Sequence, residues 1–124
     1  MTEKGLSVPV LYSVLLVGDS DGEIPKTMAA RVVSATTSCL AISALPDMDG
    51  ETRIRLIENP VESTRILHGL LAFDGILSIA SGNLTVSGVL GEVYLECTLT
   101  EPEVRIRVWV NDENTPDDIA VVVG

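Results

Sequence analysis

The strongest constraint on the fold of this chain is a two-residue alternation of apolar and mostly polar side chains between residues 92 and 110. Successive side chains of a β-strand point to opposite faces, so each alternating run has one apolar and one polar face. The pattern therefore predicts two amphipathic strands. Their apolar positions are Val93, Leu95, Cys97 and Leu99 in the first run, and Val104, Ile106, Val108 and Val110 in the second.

A four-residue segment, from Thr100 to Glu103, separates the two runs and contains a proline that type I turns favour. We therefore expect an antiparallel hairpin in which Leu99 lies opposite Val104 and the two apolar faces coincide. A register shifted by two residues also keeps these faces together, whereas a shift by one would place four apolar side chains in water.

The outer face of this hairpin supplies the candidates for binding a protein partner, because exposed aromatic side chains commonly anchor interfaces. In the first register Glu96 faces Arg107 and Tyr94 faces Trp109, each pair contributing about 0.2–1 kcal/mol. An equally good expectation is that a loop or a second sheet covers this face. The partner-binding candidates are Tyr94, Glu96, Arg107 and Trp109.

Short apolar runs separated by turn residues occur along the rest of the chain. Residues that typically begin and end a helix occur together only in residues 59–69. That segment predicts a single helical turn or an irregular crossover. Seven or eight short strands with little or no helix are typical of an all-β, two-sheet antiparallel β-sandwich of Greek-key or jelly-roll type. We expect a flexible tail over residues 1–7 and a single domain over residues 8–124. The predicted strands cover residues 8–17, 31–45 with a break at 36–38, 52–58, 70–80, 84–86, 92–99, 104–110 and 119–123.

The composition limits the possible partners. The chain has 124 residues, 46% hydrophobic and only 3% aromatic, with a net charge of −10. This charge repels nucleic acid and anionic membranes and favours basic partners or cations. No signal peptide is recognisable, and the apolar run at residues 8–17 is too short to span a membrane. A cytoplasmic location is therefore expected.

The sequence offers little for catalysis. His68 is the single histidine and has no recognisable partner for acid–base work. Cys39 and Cys97 lie in alternating apolar runs, which predicts inward-facing, inert thiols. No phosphate-binding, dinucleotide-binding, nucleophile-elbow or zinc motif is present. We therefore expect a non-enzymatic protein without a cofactor.

Two short acidic motifs give an alternative, a calcium- or ligand-binding module. Asp-x-Asp-Gly-Glu occurs at residues 19–23 and 47–51, and residues 111–118 form a third acidic loop. Calcium takes six to eight oxygen ligands, which loops at one end of a sandwich could supply. Asp-Gly is also the ordinary turn dipeptide, and the simple turn is the favoured interpretation. The calcium candidates are Asp19, Asp21, Asp47, Asp49 and Asp112.

The segment from Ile119 to Val123 is apolar and carries no charge. Such a strand invites pairing with another chain if it lies at the edge of a sheet. The sequence thus raises the hypothesis of a homodimer formed through this strand.

The C-terminal half also resembles a known family. Residues 77–86 form a strand-Ser-Gly-strand pattern, and Val104 to Val110 contains an Arg-x-Arg strand before an Asn-Asp loop. Over residues 70–124 this order of features resembles small bacterial all-β proteins of the competence-protein-J type, some of which act as nuclease inhibitors. The resemblance implies a non-enzymatic β-sandwich whose acidic surface masks a basic target, such as a nuclease.

Overall fold

The computed structural model describes residues 2–20, 33–58 and 69–124. These residues form ten strands in two five-stranded sheets that pack face to face. The predicted all-β, two-sheet sandwich is confirmed, with ten strands rather than seven or eight. Sheet I has the order β1-β5-β10-β9-β6, and sheet II has the order β3-β4-β2-β7-β8. The strands are β1 (Thr2–Val8), β2 (Val14–Asp19), β3 (Val33–Ala35), β4 (Cys39–Ser43), β5 (Thr52–Glu58), β6 (Leu70–Ser78), β7 (Asn83–Gly88), β8 (Val93–Thr98), β9 (Glu103–Val110) and β10 (Asp118–Val123).

The core lies between the sheets and is almost entirely aliphatic. In β9, Ile106, Val108 and Val110 are buried, as the alternation predicts, while Arg105 and Arg107 point to the other face. Leucine, isoleucine and valine from both sheets fill the same layer. Aliphatic side chains of this kind suit packed sheets, which explains how a chain with so few aromatic residues builds a dry interior.

The predicted β8–β9 hairpin is wrong. β8 pairs with β7 in sheet II, whereas β9 pairs with β10 and β6 in sheet I. The connection between them crosses from one sheet to the other, and its ends are fixed by backbone hydrogen bonds from Leu99 to Gly82 (2.8 Å) and from Ile79 to Pro102 (2.7 Å). The two apolar faces meet the same core from opposite sides, so the alternation alone does not distinguish facing strands from paired ones.

β10 lies inside sheet I, between β5 and β9, and not at an edge. Its pairing with β5 is parallel and its pairing with β9 is antiparallel. The hypothesis of dimerisation through Ile119 to Val123 is therefore wrong. The uncharged, apolar character of this strand reflects burial on both faces of the sheet.

The N-terminal segment differs most from expectation. Thr2–Val8, nearly all of the predicted flexible tail, forms edge strand β1 along the whole of β5. Its inward apolar positions, Leu6 and Val8, both lie at the end of the strand, and this is too little alternation to predict a strand from the sequence. The predicted strand 8–17 is also divided, because a 3-10 turn over Leu11–Ser13 separates β1 from β2.

The interruption expected at residues 36–38 is confirmed, because a turn separates β3 from β4 there. β6 has a bulge between Leu71 and Phe73. The predicted helical turn at residues 59–69, together with His68 and Asp21, lies outside the described residues apart from Gly69. No helix in the described part of the chain is long and apolar enough to cross a membrane.

Candidate interaction surface

One end of the sandwich is built from four connections, which we call the loop end. They are the 3-10 turn Leu11–Ser13 and the connections over residues 44–51, 89–92 and 111–117. The strand registers bring their flanks together, since β2 begins beside the end of β4 and also beside the end of β7. Backbone hydrogen bonds of 2.9 Å from Ala44 to Ser13 and from Leu45 to Pro116 join three of the connections.

The turn between β1 and β2 has a strained backbone. Tyr12 and Ser13 both adopt the left-handed conformation, with φ of 60° and 58°. For residues other than glycine this conformation costs roughly 1–2 kcal/mol each. The amide of Ser13 is bonded to Val10 (3.1 Å) and its carbonyl accepts from Ala44 (2.9 Å), so the fold holds the turn from both sides. The result is a tyrosine side chain that is 70% exposed.

A second short turn contacts the first. The 3-10 turn Asp47–Asp49 begins after Pro46, whose carbonyl accepts the amide of Asp49 at 2.9 Å. The two 3-10 turns contact each other. At the centre of the second turn Met48 is 93% exposed, between two carboxylates. Tyr12 and Met48 are therefore exposed residues on two short, hydrogen-bonded turns that contact each other.

Exposed large hydrophobic side chains are concentrated at this end of the molecule. Val89 and Leu90 occupy the tip of the β7–β8 turn, Val93 begins β8, and Leu70 and Leu71 begin β6 beside the end of β9. Ile76 is the single exception within the described ranges, in the middle of β6. The exposed apolar residues of the loop end are Tyr12, Met48, Leu70, Leu71, Val89, Leu90 and Val93.

Exposed carboxylates lie at the same end of the molecule as these apolar side chains. Asp49, Glu51, Asp112 and Glu113 are all exposed on the loop end. The carboxylate of Asp112 accepts the backbone N–H groups of Asn114 (2.8 Å) and Thr115 (3.0 Å), which lower its pKa and keep it ionised. Exposed apolar side chains together with acidic residues at one end match a basic protein surface better than any anionic ligand.

The residues predicted to bind a partner do not form one surface. Tyr94 and Glu96 lie on β8 in sheet II, and Arg107 and Trp109 lie on β9 in sheet I, so neither expected pair exists. Trp109 packs on Ile57, Ala120 and Val122 on the outer face of sheet I, and Tyr94 packs against the main core. The alternating pattern correctly predicted where β8 and β9 lie in the sequence. The prediction that these two strands pair with each other was wrong.

The calcium candidates are divided between the two ends of the sandwich. Asp19 ends β2 at the end opposite the loop end, where its carboxylate accepts from the amide and the hydroxyl of Ser81 (3.1 and 2.6 Å). Asp47, Asp49 and Asp112 belong to the loop end. Across residues 2–20, 33–58 and 69–124, no three His, Cys, Asp or Glu side chains are grouped as metal ligands. This placement gives no support to a site shared by the two repeated motifs.

The two cysteines are buried and free, in different layers. Cys97 belongs to the main core, as expected, but Cys39 packs with Leu16 and Ala41 in a separate small cluster. Burial raises the pKa of each thiol to about 11, so both are protonated at neutral pH and unreactive.

Two solved structures share this fold. No protein-family model and no curated protein matches the chain. ComJ from Bacillus subtilis, described as an inhibitor of the DNA-degrading activity of NucA, superposes with a TM-score of 0.71 at 11% identity, covering 97% of this chain and 93% of ComJ. A protein described as crocagin biosynthetic gene J matches with a TM-score of 0.59 at 11% identity, covering 98% of each chain. The similarity to the competence-protein-J type thus extends over nearly the whole fold and not only over residues 70–124.

Proposed function

We propose that this chain is a non-catalytic interaction protein that inhibits a basic protein partner, such as a nuclease, by binding it with the loop end. One observation carries the proposal: the exposed apolar side chains of the described residues, Ile76 excepted, lie at the same end as a group of exposed carboxylates. The net charge of −10 and the fold shared with ComJ, a nuclease inhibitor, support it.

The physical basis of such inhibition is competition for a positive surface. A protein that degrades DNA must present lysine or arginine to the phosphates of its substrate. The carboxylates of the loop end, including Asp49, Glu51 and Asp112, would attract that surface over long range and speed association. Once bound, the loop end would exclude DNA without any covalent step.

Tyr12 is the expected anchor of the interface. Tyrosine is over-represented among residues whose loss costs most binding energy, and Tyr12 is both highly exposed and backed by a fixed turn. Glycine would adopt φ of 60° without strain, yet a tyrosine occupies the position. A large, exposed side chain on a strained backbone supports a role for Tyr12 in binding.

The test is DNA degradation by NucA, the nuclease linked to ComJ, with increasing amounts of this chain. We expect inhibition at low salt that weakens as salt screens the charges. The variant Tyr12→Gly should weaken inhibition at least about 30-fold, equivalent to roughly 2 kcal/mol of binding energy, while its melting temperature stays the same or rises.

Ile76→Ala is the matched control, because Ile76 is an exposed hydrophobic residue away from the loop end. It should leave inhibition unchanged. Absence of both inhibition and binding for the unaltered chain at low salt would refute the nuclease form of the proposal. Equal inhibition by Tyr12→Gly and the unaltered chain would refute the role of the loop end.

A further inference from the structure

Among the described strands, β6 forms an edge of sheet I and pairs only with β9, and with nine residues it is the longest of them. Ser78 donates its N–H to the carbonyl of Thr37 at 2.8 Å, away from β9. Because alternate residues direct their peptide groups to the same side, the peptide groups of Asp74 and Ile76 also point away from β9. Within the described chain these two residues have no backbone partner on that side.

The other three sheet edges are protected against pairing. β1 carries Glu3 and Lys4, and the ammonium group of Lys4 donates to the carbonyl of Glu96 on β8 at 2.7 Å. β8 itself carries Glu96 and pairs across a bulge, and β3 is only three residues long. Charges, bulges and short length are the usual means by which proteins prevent edge-to-edge association. β6 also has a bulge and one charged residue, but its bulge lies near the start of the strand, between Leu71 and Phe73, and its charge is neutralised within the sheet.

The exposed side of β6 is also locally neutral. Its one charged residue, Asp74, accepts two hydrogen bonds from the guanidinium of Arg105 on β9, at 2.9 and 2.8 Å. Next to this pair, Ile76 is 58% exposed. On a chain of net charge −10, a neutral and apolar strand edge is where two copies can meet without bringing unpaired carboxylates together.

We infer that β6 pairs antiparallel with β6 of a second copy, joining the two copies of sheet I into one ten-stranded sheet. A two-fold axis makes such a contact self-complementary, with residue i on j and j on i. This inference goes beyond the proposed function. The partner here is a second acidic copy of the same chain and not a basic protein, and the surface is β6 and not the loop end.

The register of this pairing follows from three restrictions. An axis at Asp74 would place two carboxylates opposite each other, and an axis at Ile76 would need the Ser78 amide that Thr37 already holds. An axis further toward Leu70 meets the bulge at Leu71. An axis at Gly75 pairs Asp74 of each copy with Ile76 of the other, and it confines the paired stretch to residues 74–76, because Thr37 occupies the outer side of Ser78.

The test is sedimentation together with hydrogen exchange of the intact chain. Because the seam is short, we expect a monomer in dilute solution and a dimer at concentrations approaching about 1 mM. Salt should strengthen this dimer by screening the repulsion between two acidic molecules. The amides of Asp74 and Ile76 should exchange more slowly as concentration rises, while the amide of Gly75, which faces β9, should be protected throughout.

Ile76→Lys should weaken the dimer at least about tenfold, since it places two new charges at the seam. Leu90→Lys, an equally exposed position on the loop end, should leave the dimer intact. A monomer at every concentration, or a dimer in which the amides of Asp74 and Ile76 exchange freely, would overturn the inference. Added salt should weaken nuclease binding but strengthen the dimer. The failure of one proposal can therefore be distinguished from the failure of the other.

Discussion

Tyr12 and Ser13 hold a backbone conformation that glycine would adopt at less cost. Nothing in the sequence signals this, because the turn contains neither glycine nor asparagine and lies within an apolar run. That run predicts one strand over residues 8–17. A turn lies in its middle instead, because the Ser13 amide donates to the carbonyl of Val10 and the Ser13 carbonyl accepts from the amide of Ala44. Tertiary contacts override local preference here, so the most exposed aromatic residue of the loop end could not be identified in advance.

At this scale we predict that Ser13→Gly stabilises the protein by about 0.5–1 kcal/mol. The substitution removes left-handed strain, and the larger entropy of glycine in the unfolded chain offsets part of the gain. Within the described residues the Ser13 side chain makes no hydrogen bond that would be lost. The measurement is the urea midpoint of unfolding, and a lower midpoint for the variant would contradict the assignment of strain.

At the scale of elements, the position of most strands could be predicted and their pairing could not. Alternation marks which side chains of β9 face the core, and the buried positions agree with it. On β8 it fails at the start of the strand, where Val93 is exposed and Tyr94 packs against the core beside an irregularity in the pairing with β7. Two strands that face each other across a core show the same alternation as two that pair side by side. The crossing of the chain from Leu99 to Glu103 between sheets is set by contacts with Gly82 and Ile79, which are distant in sequence.

The β6–β9 pair gives a prediction with a defined pH dependence. The guanidinium of Arg105 lowers the pKa of Asp74 below its usual value of 3.8, so this ion pair stabilises the folded state above that pH. As pH falls through the lowered pKa, the carboxyl protonates and the stabilisation is lost. Asp74→Asn should therefore lower the melting temperature slightly at pH 7, and the difference from the unaltered protein should shrink in acid. A difference that persists below the lowered pKa would contradict this account.

At the scale of the whole molecule, both sheets contribute to a single buried layer. Ile106 from sheet I and Leu84 from sheet II are both fully buried in it. That residues 8–124 form a single domain remains a prediction. It can be tested, because two sheets that share one core should unfold together. The charge of the loop end likewise depends on the whole fold, because it arises where four separate connections come together.

We expect Ile106→Ala and Leu84→Ala each to cost about 2–5 kcal/mol of unfolding free energy, from lost burial and the cavity left behind. If the sheets fold as one unit, circular dichroism and the fluorescence of Trp109 should report the same transition in both variants. Two separate transitions, one shifted by each substitution, would contradict a single cooperative domain.

The insertion of β10 between β5 and β9 has a consequence for the synthesis of the protein. Sheet I cannot be completed on the ribosome until residues 118–123 have emerged, because they join β9 to β5, a strand made much earlier. Until that moment β5 and β9 each present an unpaired, apolar side to the cell. Nascent chains of this protein should therefore depend on chaperones during translation more than a meander of the same strands would.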